Sequence, residues 1–143
     1  MTQTFAVQHL SVTINRDWRD VYDFTHRPAN FAQWASGLGS SLSHQDGVWI
    51  AATPAGPATV QFSPVNEFGV LDHTVAVPGQ GETYNPMRVV GNGSGAEVIF
   101  TLFRRPGVTN AEFARDAEWV MRDLTALKQL LEASPDSREE NQP

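Results

Sequence analysis

TNAEFARDAEWVMRDLTALKQLLEA, Thr109 to Ala133, is the stretch that decides the fold. Its apolar residues Phe113, Ala117, Val120, Leu124, Leu127 and Leu131 recur at steps of four and three, which aligns them as one stripe on an α-helix. Thr109 followed three residues later by Glu112 is a capping box, in which each side chain bonds a backbone N–H that the first turn leaves unpaired. At ~1.5 Å per residue the helix is roughly 36 Å long, enough to cross a whole sheet. Pro135 ends it. The polar segment Ser134 to Pro143 is expected to be a disordered tail, leaving residues 1–133 as a single domain.

Upstream of that helix the signals are strands and short turns. Asp46-Gly47 is a two-residue hairpin signature between Leu42 to Gln45 and Val48 to Thr53. Pro54-Ala55-Gly56-Pro57 turns the chain again, and Ala58, Val60 and Phe62 follow on one face. A longer strand is predicted from Phe68 to Val77, then another from Tyr84 to Val90, with Pro78-Gly79-Gln80-Gly81 between them. Gly91-Asn92-Gly93-Ser94-Gly95 leads into Ala96 to Phe103, where Val98, Phe100 and Leu102 share a face. Turns this short force antiparallel neighbours, because a parallel crossover needs about a dozen residues or more.

At the N-terminal end, Phe5 to Ile14 predicts the first strand. Its alternation changes parity after Val7, which implies a bulge near Gln8-His9 or a frayed start. Asn15 is expected to cap a short helix, Arg16 to Phe24, and Pro28 to open a second one carrying Phe31 and Trp34.

Composition narrows the function classes. The chain has 143 residues, 41% hydrophobic and 18% charged, with a formal charge of −6. That acidity, one lysine (Lys128) and the lone basic pair Arg104-Arg105 argue against nucleic acid and against a polybasic membrane anchor. The absence of cysteine excludes disulfides and thiolate chemistry. No run approaches the ~20 apolar residues of a membrane span. Met1 to Leu10 lacks the features of a signal peptide, so a cytoplasmic protein is expected.

The order of strand, two short helices, meander and long helix resembles the helix-grip fold of the START-like superfamily, also called SRPBCC. It resembles in particular the superfamily's bacterial polyketide cyclase/dehydrase-like members. The resemblance is carried by SVTINRDWRDVYDFTHRPANFAQWASGL (Ser11 to Leu38) and EFARDAEWVMRDLTALKQLLE (Glu112 to Glu132), with FSPVNEFGVLDHTV and EVIFTLFRRPG as central strands. It implies an α+β protein: a seven-stranded, curved antiparallel sheet around the last helix, with a cavity between them. It implies no catalytic motif, since members of the superfamily bind lipids, hormones and flavonoids, cyclise polyketides, or act as co-chaperones.

Against that background the candidate site residues are as follows. His73 shares a strand face with Leu71, Val75 and Val77; it is either a proton-handling group against a ligand or a core histidine bonded to a backbone carbonyl. Asp116 falls inside the apolar arc of the last helix, with Asp123 farther out. It is either an acid–base group at a pocket mouth or the partner of an arginine such as Arg88 or Arg104. Phe31, Trp34, Phe62, Tyr84, Met87, Phe100, Phe113, Trp119, Val120 and Leu124 are expected to line the ligand space. The four histidines are too scattered for a metal site, and Gly91 to Ala96 lies between strands instead of opening a helix, so no metal or other cofactor is expected. The partner is expected to be a small hydrophobic molecule, and homodimerisation stays open. Three functions stay open too: a binding protein, a cyclase/dehydratase-type enzyme, and a co-chaperone-like module using exposed aromatics such as Trp49.

Overall fold

The computed structural model describes residues 3–35, 42–46, 48–53 and 56–133. In chain order these form β1 (Val7–Ile14), α1 (Trp18–Thr25), α2 (Pro28–Trp34), β2 (Ser43–Gln45), β3 (Val48–Thr53), β4 (Gly56–Phe62), β5 (His73–Val77), β6 (Gly81–Asn85), β7 (Met87–Asn92), β8 (Gly95–Phe103) and α3 (Asn110–Ala133). Every strand pair is antiparallel. Two ladders result, β1-β8-β7 and β2-β3-β4-β5-β6. The expected tail and residues 36–41 lie outside the described residues.

The long helix begins as its sequence predicts. Glu112 N donates to Thr109 Oγ1 and Thr109 N to Glu112 Oε1, each at 3.1 Å. Ala117, Leu124, Leu127 and Leu131 are buried against β1, β8 and α2, while Phe113 and Val120 are half-buried. Its last turns are tied to the end of β1: Lys128 Nζ donates to Thr13 O (2.6 Å), Arg16 Nη1 to Leu131 O (2.8 Å), and Asn15 N to Glu132 Oε2 (2.9 Å). Helix and sheet enclose a core that includes Ile14, Val21, Val60, Met87, Val89 and Val98. This is the helix-grip arrangement. Among the described residues no helix is long and apolar enough to cross a membrane.

Four local expectations need correction. The cap of α1 is Asp17, whose Oδ1 accepts from Arg19 N at 2.9 Å; the helix therefore starts at Trp18, two residues past the expected start at Arg16. The β1–β8 register runs unbroken from Val7↔Phe103 to Ile14↔Ala96, so there is no bulge. Instead, Phe5 precedes the strand, and Val7 lies on its outer face, 46% exposed. The strand expected from Phe68 starts only at His73, because Asn66 captures the preceding backbone. Its Oδ1 accepts from Phe68 N and Val70 N, both at 3.0 Å, in a local turn that competes with strand pairing. Finally, the seven expected strands become eight because Pro86, with no N–H to give the ladder, splits Tyr84 to Val90 between β6 and β7.

The hairpins follow their turn chemistry. Gln45↔Val48 and Asn92↔Gly95 each close around two residues, and Asp46 and Gly93 both take positive φ (52° and 58°), as such turns demand. Trp49 is half-buried and stacks on His44, with ring centroids 4.8 Å apart.

Candidate functional site

A cavity of about 250 Å³ opens between α2, α3 and the strands β5, β6 and β8. Phe31 and Trp34 form its α2 side, and Trp119, Val120 and Leu124 its α3 side. His73 and Val75 come from β5, Phe100 and Leu102 from β8. The lining also includes polar groups: Asp116 and Asp123 on α3, Thr83 and Asn85 on β6, and Arg105 just past β8.

His73 is the polar group set deepest in the apolar part of the wall. It is 5% exposed and caged by the rings of Phe62, Phe31 and Phe100, whose centroids lie 5.5, 5.8 and 6.1 Å away. Nδ1 sits 3.1 Å from Leu71 O. A carbonyl only accepts, so Nδ1 carries the proton and Nε2 keeps a free lone pair. Burial pulls the imidazole below its ordinary pKa, outweighing the opposing effects of the Leu71 carbonyl and the Asp72 charge. The ring is thus neutral near pH 7. The backbone-carbonyl bond expected of a core histidine is present at Nδ1, and it leaves Nε2 as an acceptor.

The remaining expected residues divide by position. Phe31, Trp34, Phe100, Trp119, Val120, Leu124 and Asp116 line the cavity with His73. Four do not. Phe62 packs behind the wall, 5.3 Å from Phe31 in an edge-to-face pair, and lines a separate groove beside β3 and β4. Met87 is 1% exposed in the core, and Phe113 sits half-buried on the first turn of α3. Tyr84 is 53% exposed because alternation along β6 turns Thr83 and Asn85 inward and Tyr84 outward. Its hydroxyl donates to Asp72 Oδ2 at 2.9 Å, and that bond raises its pKa.

Asp116 makes no ion pair with the arginines considered for it. Arg88 pairs with Asp72, and Arg104 donates to Val108 O and Asn110 Oδ1. The indole N–H of Trp34 is buried without a hydrogen-bond partner, an orphan donor on a residue of the cavity wall. Sequence reasoning passed over Val75 and Leu102 as lining residues, although each lies two positions from a chosen one (His73, Phe100) and must share its face. Thr83, Asn85 and Arg105 gave no such signal, because their place depends on the break at Pro86.

Solved structures share this architecture at low sequence identity. DynU16, a protein of the dynemicin biosynthetic locus, aligns with a TM-score of 0.66 and 16% identity over 88% of this chain. The chain spans about half of DynU16, 47% of its length. The Aha1 dimer from Colwellia psychrerythraea gives 0.68 and 13%, covering 89% of this chain and 96% of that one. Ara h 8.0201 gives 0.63 and 9%, covering 90% and 99% respectively. No protein-family model matches the chain, and no curated protein matches it. The likeness establishes the fold alone, the helix-grip fold.

Proposed function

We propose that this chain binds a small, largely apolar molecule in the cavity between its sheet and α3. One observation carries the reading. A single buried imidazole with a free acceptor nitrogen sits in an otherwise aromatic and aliphatic wall, the pattern of a site that grips apolar surface and orients it through one polar contact. The volume, about 250 Å³, lies just below the ~300–1,000 Å³ typical of drug-sized ligands, which favours a compact ring system over a full lipid. With Nε2 as an acceptor, the matching ligand group is a hydroxyl or N–H. Trp34 offers a donor nearby.

A second reading, a cyclase/dehydratase-type enzyme, is supported by the same nitrogen and by Asp116 on the opposite wall. Nε2 could take a proton from an activated C–H or O–H while the cavity holds the substrate folded. In either case His73 and the lining residues of α2, β8 and α3 do the work.

A thermal-shift screen of phenols, polyketides, flavonoids, fatty acids and sterols tests both readings, with Trp119 fluorescence as a second probe. A compound at 100 times its dissociation constant should stabilise the fold by ~2.7 kcal/mol. His73→Gln should weaken the best hydroxylated binder and spare one lacking a donor. A panel that moves neither signal would remove the binding reading. A hit that is consumed on incubation would favour the enzyme.

A further inference from the structure

Pro86 does more than split a strand. The β7–β8 register, Met87↔Phe100 onward, would set Asn85 opposite Leu102 and Thr83 opposite Arg104 if it continued through the proline. No ladder forms there: β6 pairs with β5 alone, and the end of β8 with β1 alone. The corner itself is pinned. Thr101 N donates to Pro86 O at 3.0 Å, and the Asp72 carboxylate accepts from Met87 N, the Tyr84 hydroxyl and Arg88. From this fixed point β6 and β8 diverge as the arms of a fork.

Two hollows meet in the fork. One is the cavity described above. The other, of about 390 Å³, lies outside it and has Phe5, Tyr84, Phe103 and Pro106 among its walls. Thr83, Asn85, Phe103 and Arg105 belong to both. The partition between interior and exterior is therefore side chains, with no backbone ladder to break. Its one hydrogen bond across the fork among the described residues runs from Arg105 Nη1 to Thr83 Oγ1 at 3.4 Å, long for such a bond. Moving α3 aside would instead break its three bonds to Thr13, Asn15 and Arg16. The outer hollow also carries contiguous apolar exposure, with Phe5 47%, Tyr84 53% and Phe103 38% exposed, of the kind that marks a contact site.

We propose that the β6/β8 fork is the portal to the cavity, with the outer hollow as a docking subsite for the same apolar ligand and Arg105–Thr83 as its latch. The proposal rests on the ligand-binding reading, but its test does not need the ligand. The chain has no cysteine, so Leu124→Cys places a unique thiol in the cavity wall, with Val75→Cys as a second reporter should the first variant fold poorly. The full-length protein is reacted with methyl methanethiosulfonate. Adding Arg105→Ala should speed labelling about two- to tenfold, the range that one net hydrogen bond corresponds to. Thr83→Phe, which plugs the fork, should slow it. Arg122→Ala, beside Trp119 on α3, should leave it unchanged. Labelling indifferent to both fork variants, or accelerated by Arg122→Ala, overturns the portal and assigns access to the α3 side. Titration with 1-naphthol and the wider panel separates the two ideas. Labelling through the fork with no compound bound would sink the binding reading and leave the route standing, whereas binding with no fork effect would sink the portal alone.

Discussion

Acid should weaken this fold through His73, by an amount set by where the ring sits. The side chain is 95% buried in an aromatic cage, and its pKa is held below the ordinary 6.5, chiefly by burial. As pH falls below that value the unfolded chain takes up a proton that the folded imidazole refuses. The unfolded state then binds more protons, and stability declines with falling pH. The effect is absent above 6.5, grows at up to ~1.4 kcal/mol per pH unit beneath it, and levels off once the folded ring protonates. At pH 5.5 the loss is at most ~1.4 kcal/mol, the limit for a folded ring that stays neutral there, so the melting temperature falls by no more than roughly 3–6 °C for a domain near this size. Glu112 and Glu132, whose pKa values are lowered by hydrogen bonds to Thr109 and to Lys128 and Asn15, lose their contributions only below their ordinary 4.5, outside this window. The assay is urea unfolding of the wild type and His73→Gln at pH 7.5, 6.5 and 5.5. Glutamine does not titrate and keeps an N–H for the Leu71 carbonyl, so the difference between the curves isolates the imidazole. Parallel curves would mean that the folded ring protonates as freely as the unfolded one, and the lowering by burial would be refuted.

Leu124→Ala should cost ~2–3 kcal/mol, the low end for a buried leucine, because this 1%-exposed side chain packs into the core on one flank and borders the cavity on the other. Chemical denaturation gives the value, and one under ~1 kcal/mol would mean that the residue makes little packing contact. Gly69→Ala should exceed ~3 kcal/mol, since φ is +73° and the added Cβ would lie 2.1 Å from Val89 O, the strand that Gly69 O itself bonds. An alanine variant within ~1 kcal/mol of wild type would show that Gly69 is not held against β7.

The frame of this fold is legible because its signals are periodic. The α3 stripe, the Thr109–Glu112 box and the turn at Gly93-Ser94 each act over a few neighbouring residues, and each appears in the structure where the sequence put it. The errors have a common origin in side chains that compete for backbone. Asn66 draws its own segment out of strand β5, Asp17 takes the helix cap from Asn15, and Pro86 withholds one N–H and so divides a strand. The site was legible only as far as alternation reaches. It sets His73 facing inward on a β-strand, but Tyr84 was placed on the wrong side of the wall because the register of β6 depends on the proline before β7. Whether Asp116 pairs with Arg88 or Arg104 is a matter of tertiary distance, on which the helical pattern carries no information; both arginines bond elsewhere.

The pairing of β1 with β8 also governs how this chain comes into being. Val7 meets Phe103 and Ile14 meets Ala96, while Lys128 and Arg16 lash the same region to the final helix. At a translation rate of about 5–20 residues per second, the first strand waits for several seconds to some twenty seconds before its partner has been made. Through that interval a β-strand bearing Leu10, Val12 and Ile14 has no ladder and no helix over it, whereas the β2–β3–β4 hairpins can already close locally. Assembly should therefore be governed by long-range closure, slow for the chain's size. The nascent first strand is then its most aggregation-prone segment, and a chaperone that shields residues 7–14 until α3 emerges would raise the yield of folded protein more than one acting on the finished sheet.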